Sequence, residues 1–312
     1  MRRSLVYSVA GVTLGLALVL TLLGVGDNPA ALTDGQALVL GVVQGLTELL
    51  PISSSAHLIL VPWGADWTFL EQNDRFNQTF DVSLHLGTLV AVMSYFWGEL
   101  VQLVRAWLRS IRVRRMESAD ARVAWFVVVA TIPAGLAGLL GEDVIAEHLG
   151  DPWQILVLLS AGALLLWWAD RTPETKGMGD LGLGQAVVMG LAQALALAPG
   201  VSRSGITITA GRFMRLDRDS AARFSFLLLV PTVLGAVVLK GVGDVLLGDL
   251  PSGWSGPFVV GTLAAVGSGL LAIEWLLGYV RSHTYGLFVV YRLVVAGLVL
   301  ATILSGVRKA TF

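Results

Sequence analysis

Two short stretches carry nearly all the polar chemistry of an otherwise apolar sequence. The first reads Gln44-Gly45-Leu46-Thr47-Glu48-Leu49-Leu50-Pro51-Ile52-Ser53-Ser54-Ser55-Ala56-His57. Gln44 and Glu48 are four apart and so share one face of a helix. An ionisable glutamate in such a setting is costly unless it is paired or holds a cation. Pro51 ends that helix, and Ser53, Ser54 and Ser55 are suited to cap the next one. His57 follows just inside it, where an imidazole can move a proton near neutral pH. The second stretch is Pro199-Gly200-Val201-Ser202-Arg203-Ser204-Gly205-Ile206-Thr207. Its glycines permit unusual backbone angles and close approach to a ligand. Its serines cap a helix start, whose N–H groups and dipole favour an anion. Arg203 adds a planar fork matched to phosphate oxygens.

A carboxylate, an imidazole, hydroxyls and a guanidinium are the equipment of phosphoryl transfer, where catalysis is mostly positioning and charge neutralisation. The carboxylate suits a hard divalent cation, Mg²⁺ or Ca²⁺, held through oxygen ligands. The plainer alternatives are that Arg203 and Glu48 form a buried structural ion pair, and that the serines only cap helices.

The rest of the chain must position these groups inside a membrane. Of 312 residues, 55% are hydrophobic and 14% charged, where about 25% charged is ordinary for a soluble domain. Mean hydropathy is +0.75. Neither a soluble enzyme of this length nor a disordered chain fits those values. A net charge of −1 offers no broad basic face for nucleic acid. There is no cysteine, so disulfides, thiolate metal sites and cysteine nucleophiles are excluded. The expected class is an all-α polytopic membrane protein.

Seven runs are long enough to span: Leu5 to Val25, Phe80 to just beyond Trp97, Val123 to Leu140, Trp153 to Trp168, Phe224 to Lys240, Phe258 to Leu277 and Leu287 to Leu304. Two more, Gln36 to Leu50 and Gln185 to Ala198, are too short to cross and end at Pro51 and Pro199. Each is followed by another short helical run, which predicts two re-entrant hairpins; an ordinary kinked span is the alternative. Arg105, Arg109, Arg112, Arg114 and Arg115 mark a cytoplasmic loop. With both hairpins returning to their own side, Arg2, Arg3, Arg171, Lys176, Arg212, Arg215, Arg218 and Arg223 also fall inside. Glu142, Asp143, Glu147, Asp151, Asp244 and Asp249 then fall outside, as do Arg308 and Lys309, a minor exception. The first apolar run exceeds the roughly 7–15 residues of a signal-peptide core, so residues 1–26 are expected to be a retained anchor and 27–312 one membrane domain.

The hairpins also resemble one another. Gly35 to Gly41 parallels Gly184 to Gly190, and Gln44 matches Gln193. With one residue removed, Pro51 falls on Pro199 and Ser54 on Ser202. Three spans follow each hairpin, which makes the second half (about 184–305) inverted relative to the first (about 35–170). Inverted repeats built on broken helices place a site near the bilayer midplane where the halves meet.

At the two polar stretches the sequence closely resembles the BacA-type undecaprenyl-diphosphate phosphatase family of bacteria. That family carries an (E/Q)xxxE motif, a serine-rich turn with histidine, and PGxSRSxxT. The likeness continues through Phe80-Asp81 to Trp97, Phe224 to Leu228 with Pro231, and Tyr291-Arg292. The resemblance implies hydrolysis of undecaprenyl diphosphate to undecaprenyl phosphate, recycling the carrier lipid of cell-wall synthesis and conferring bacitracin tolerance. It implies a multi-pass protein of the bacterial plasma membrane, in contact with membrane lipids. Its N-terminus would be cytoplasmic, and its metal-dependent site would open to the outer face. It leaves room for a homodimer. Carried over by position, Glu48, Ser54, His57 and Arg203 are the expected catalytic residues, with either Ser54 or His57 attacking. If Ser54 attacks, His57 is the natural base. Ser53, Ser55, Ser202, Arg203, Ser204 and Thr207 are expected to hold phosphate, and Glu48 with Gln44 the metal.

Gln44 is a neutral amide, which puts a second carboxylate role there in doubt. His85 stands where the family carries glutamine and either lines the cavity or packs. Arg292 is expected to tie helices together, and Glu274 to be a snorkelling surface group. A polyprenyl-phosphate transporter with the same head-group site is the competing class.

Overall fold

The computed structural model describes residues 3–24, 32–67, 74–241 and 254–311. Among them the chain is helical, with an isolated bridge between Lys176 and Leu216 as its extended pairing. Twelve α-helices follow in order. They are α1 Arg3–Leu23, α2 Asp34–Leu49, α3 Ser54–Ala65, α4 Asp74–Tyr95, α5 Trp97–Val113, α6 Ala119–His148 and α7 Pro152–Ala169. Then come α8 Leu183–Leu195, α9 Arg203–Phe213, α10 Arg218–Ala236, α11 Ser255–Val280 and α12 Gly286–Leu304. Asp244 and Asp249, with the side chains of Glu142, Asp143 and Glu147, lie outside the described residues.

Six helices are long and apolar enough to cross a membrane: α1, α6 up to Gly141, α7, α10 extended to Leu239, α11 and α12. Their outward faces stay apolar; α12 alone exposes Val290, Val294 and Leu298. In water such faces mark contact surfaces, and in lipid they need no partner. The seventh expected span differs. Its helix stops at Tyr95 instead of running past Trp97, and α5 follows as a separate helix. Helix α5 is strongly amphipathic and ends in an arginine-rich turn. A helix of that kind lies along an interface more readily than it enters hydrocarbon.

The two short apolar runs are helical pairs, as their prolines predict. Helix α2 packs on α3 and α8 on α9. With 16 and 13 residues, α2 and α8 reach about 24 and 20 Å at a rise of about 1.5 Å per residue. Thr33 starts α2 with a capping box: its Oγ1 accepts the Gln36 N–H, and Gln36 Oε1 accepts the Thr33 N–H.

The described residues divide into two compact units. One comprises Met1–Leu50, Ser54–Tyr95 and Val233–Trp275; the other comprises Pro51–Ser53, Phe96–Thr232 and Leu276–Phe312. In the first, α11 is the centre of close helix packing. A Cβ at Gly41 would meet the carbonyl of Gly261, one at Gly45 would meet Ser268 Oγ, and one at Gly87 would lie 2.6 Å from the Thr262 carbonyl. Such contacts let backbones approach where no hydrophobic force drives helices together. Phe76, Phe80 and Phe258 pack edge to face and stacked beside Leu40 and Leu84. Glu274 is not a snorkelling surface group. It is 10% exposed, accepts the Tyr95 hydroxyl at 2.8 Å and pairs with Arg3 at 2.7 Å.

In the second unit, Gly190 of α8 seats against the Ala130 carbonyl of α6. The C-terminal end of α9 is held by Arg212, which is fully buried. Its guanidinium donates to the carbonyls of Leu216, Asp170 and Thr172 and lies 3.5 Å from the Asp170 carboxylate. That carboxylate also takes Arg218 Nε at 2.7 Å and the Tyr285 N–H at 2.8 Å. A buried charge persists only with partners of this kind. Burial pushes the Tyr285 phenol above its ordinary range, with the Asp170 charge adding to the shift, and its hydroxyl donates to the Arg218 carbonyl.

Candidate functional site

The first hairpin gathers Gln44, Glu48 and Ser54 around one carboxylate oxygen. Glu48 closes the last turn of α2 and is 6% exposed. The chain then extends through Leu50 and Pro51 and turns at Ser53, whose φ is +77°. That left-handed residue reverses the chain so that Ser54, first in α3, faces back to the end of α2. Ser54 Oγ donates to Glu48 Oε2 at 2.5 Å, and Gln44 Nε2 donates to the same oxygen at 3.3 Å. A hydroxyl this close to a buried carboxylate has the geometry in which a base can activate a nucleophile. His57 is buried one turn along α3 from Ser54, and Ser55 is the second residue of that helix.

His85 of α4 joins this group. Its Nδ1 lies 2.7 Å from the Asp81 carbonyl, and its Nε2 is 3.6 Å from Glu48 Oε2. The sequence left its role open because Leu84-His85-Leu86-Gly87 has no spacing relation to Glu48; only the packing of α4 beside α2 brings them together.

Oxygen donors here fit a hard divalent cation. Gln44 is fully buried, and its Oε1 has no hydrogen-bond partner among the described residues. A rotation of that amide would turn Oε1 to Glu48, an arrangement a cation between two oxygens favours. Among the described residues no three His, Asp or Glu side chains form a cage. That suits an ion such as Mg²⁺, which is commonly held by one or two carboxylates while substrate phosphates and water fill its other positions.

The second hairpin presents a serine-capped helix start that carries Arg203. Gly200 has φ +104°, and a Cβ there would lie 3.0 Å from Leu158 Cβ. Ser202 has φ +73° and caps α9, its Oγ accepting the Gly205 N–H at 3.1 Å. Ser204 Oγ is 3.3 Å from Ser202 Oγ. Arg203 Nη1 donates to the Ser225 carbonyl at 2.7 Å. Thr207 Oγ1 sits 2.7 Å from the Arg203 carbonyl and 2.8 Å from Ser225 Oγ. Ser202, Arg203, Ser204 and Thr207 therefore form one cluster at the start of α9, completed by Ser225 of α10, which no motif spacing had marked as a site residue.

Arg292 is the clamp of this turn. It is buried, and its Nη2 donates to the carbonyls of Gly200 and Val201 at 3.0 and 3.1 Å while Nε donates to Leu159 at 3.1 Å. Gly162 leaves room for the guanidinium, since a Cβ there would strike Nη2. The serine register also shifts. Ser53 and Ser202 share the left-handed residue before the second helix, so Ser54 corresponds to Arg203 in backbone position, not to Ser202 as the prolines suggest.

A family model described as bacitracin resistance protein BacA matches residues 37–298. The chain belongs to the BacA family. It is 45% identical over 282 residues to an undecaprenyl-diphosphatase of Thermomicrobium roseum, covering 88% of this chain and 99% of the relative. To one of Pelotomaculum thermopropionicum it is 42% identical, covering 90% and 100%. To one of Geobacter sulfurreducens it is 45% identical, covering 85% and 96%. Both polar stretches, 44–57 and 199–207, fall within the matched residues, and α1 lies ahead of them. Family and helices together make this a multi-pass membrane protein.

Proposed function

We propose that this chain is an undecaprenyl-diphosphatase of the bacterial cell membrane, releasing inorganic phosphate from undecaprenyl diphosphate and returning undecaprenyl phosphate to cell-wall synthesis. Raised amounts would confer bacitracin tolerance. The observation that carries the reading is the Ser54 hydroxyl 2.5 Å from the buried Glu48 carboxylate, in a family whose relatives are named for this activity.

Ser54 Oγ attacks the terminal phosphorus as its proton passes to Glu48 Oε2. The new Ser54 O–P bond replaces the bridging P–O bond, and undecaprenyl phosphate leaves. Water then cleaves the phosphoserine, releasing inorganic phosphate and restoring the Ser54 hydroxyl. Glu48 rather than His57 is the base, because the short hydrogen bond runs to Glu48. His57, one turn away, is placed to hand a proton to departing oxygen or to take one from water. Ser53 and Ser55 flank Ser54 at the start of α3, where backbone N–H groups favour phosphate oxygens. Arg203, Ser202, Ser204 and Thr207 would take phosphate oxygens at the start of α9. Glu48 and Gln44 would hold Mg²⁺ or Ca²⁺, whose charge offsets that of the diphosphate.

The N-terminus and the loop bearing Arg105 to Arg115 lie on the cytoplasmic side in this reading, with the site open to the outer face. The chain has no native cysteine, so Arg112→Cys should label with an impermeant thiol reagent from the cytoplasmic side only; labelling from outside would reverse the topology. Function is tested by phosphate release from undecaprenyl diphosphate with purified protein. Lipid binding with no release would make the head-group site a transporter's.

A further inference from the structure

The orientation of His85 holds information that its place in the sequence does not. A carbonyl oxygen only accepts, so the 2.7 Å contact with the Asp81 carbonyl requires the proton on Nδ1. In the neutral ring Nε2 is then a bare lone pair. It faces Glu48 Oε2, a second lone-pair donor, at 3.6 Å. Two such atoms repel unless a proton on Nε2 or a metal cation lies between them, and 3.6 Å is longer than a hydrogen bond across a proton. Adjacent ligands of one divalent ion, each about 2.0–2.2 Å from it, stand roughly 3.0–3.5 Å apart. The observed separation is within a few tenths of an ångström of that spacing. An imidazole fixed at Nδ1 by a backbone carbonyl, with Nε2 directed inward, is also the usual posture of a metal-ligating histidine. The unpartnered amide oxygen of the fully buried Gln44 lies on the same side chain that reaches Glu48 Oε2.

We infer that His85 Nε2 is a third protein ligand, giving this chain a Glu–Gln–His cation site rather than one of oxygen donors alone. The inference rests on the proposed cation at Glu48 and specifies what that ion is. An imidazole nitrogen raises affinity for Mn²⁺, Co²⁺ or Zn²⁺ more than for Mg²⁺ or Ca²⁺, which prefer oxygen.

The test uses full-length protein in detergent, loaded with Mn²⁺ and examined by pulsed electron paramagnetic resonance for coupling to a ligand ¹⁴N nucleus. Wild type should show directly bound imidazole nitrogen. His85→Gln should lose that coupling, whereas His57→Gln should keep it. Equilibrium dialysis should find Mn²⁺ and Co²⁺ bound at least about 10-fold more weakly by H85Q, with Mg²⁺ changed less than about 3-fold. Bound Mn²⁺ without ¹⁴N coupling in wild type, or coupling that survives in H85Q, overturns the His85 assignment and leaves a cation at Glu48 standing. Failure of wild type to bind Mn²⁺ in a Glu48→Gln-sensitive manner overturns both.

Discussion

The two hairpins share a backbone plan and differ in what it presents. In each, a short apolar helix ends two to four residues before a proline, and a serine with φ near +75° (77° at Ser53, 73° at Ser202) opens the second helix. Each first helix carries a buried glutamine, Gln44 or Gln193, whose Oε1 has no partner among the described residues. After the left-handed serine, one hairpin places Ser54 and the other Arg203. Glu48 closes the first helix of one, whereas the apolar run of the other ends in Leu195, Leu197 and Ala198 with no carboxylate. One turn of backbone thus serves two purposes. Beside a carboxylate it places a hydroxyl against that carboxylate, and without one it places a guanidinium on the Ser225 carbonyl at a serine-capped helix start.

That contrast predicts a graded series of effects. The largest belong to the nucleophile and its base. Ser54→Ala and Glu48→Gln should each lower turnover by at least about 10³-fold while leaving the protein monodisperse and helical; near-normal phosphate release in either removes that residue from the chemistry. Arg203→Ala should come next, at about 10²–10³-fold. Arg203→Lys should recover only part, because an ammonium cannot hold the Ser225 carbonyl and present a planar fork together. Equal rates for the lysine variant and wild type would show that charge alone is needed.

Arg292→Met tests the clamp. Buried carbonyls at Leu159, Gly200 and Val201 would lose their donor, which should cost about 1–3 kcal/mol, read as a fall in Tm. Turnover should fall with it as the Ser202 turn loosens, so unchanged Tm would contradict the clamp. The smallest effects concern the left-handed serines. Ser202→Gly keeps the backbone angle and should change stability by less than about 1 kcal/mol. Ser202→Ala loses the cap and keeps the strain, so it should be the less stable of the two. The reverse order would mean that the left-handed turn does not govern this position.

The comparison also separates what local pattern carries from what packing decides. The hairpins, their prolines and the Gln44–Glu48 face were legible because each depends on neighbours within about one helical turn. The helix end at Tyr95 was not, because the apolar run continues through Trp97. Ser225 lies 18 residues from Thr207, and Arg292 lies 92 from Gly200; no spacing rule joins them. Nor does any spacing rule join Arg212 to Asp170, 42 residues away, whose carbonyl it meets in the fold. Assigning Ser54 to Ser202 failed because prolines were matched where backbone conformation sets the register. The Ser54–Glu48 hydrogen bond was not legible either, because it joins residues six apart across the turn at the left-handed Ser53.

Removing metal sharpens the account of the first hairpin. A chelator should stop phosphate release, and added Mg²⁺ or Ca²⁺ should restore it; full activity in chelator would leave Glu48 as a base alone.

The most direct measurement is inorganic phosphate release from undecaprenyl diphosphate by the purified chain, with Ser54→Ala and Glu48→Gln assayed beside it. Steady release by wild type that collapses in both variants is the expected result. Wild-type protein that binds the lipid without releasing phosphate, or a Ser54→Ala variant that turns over at the wild-type rate, would contradict it.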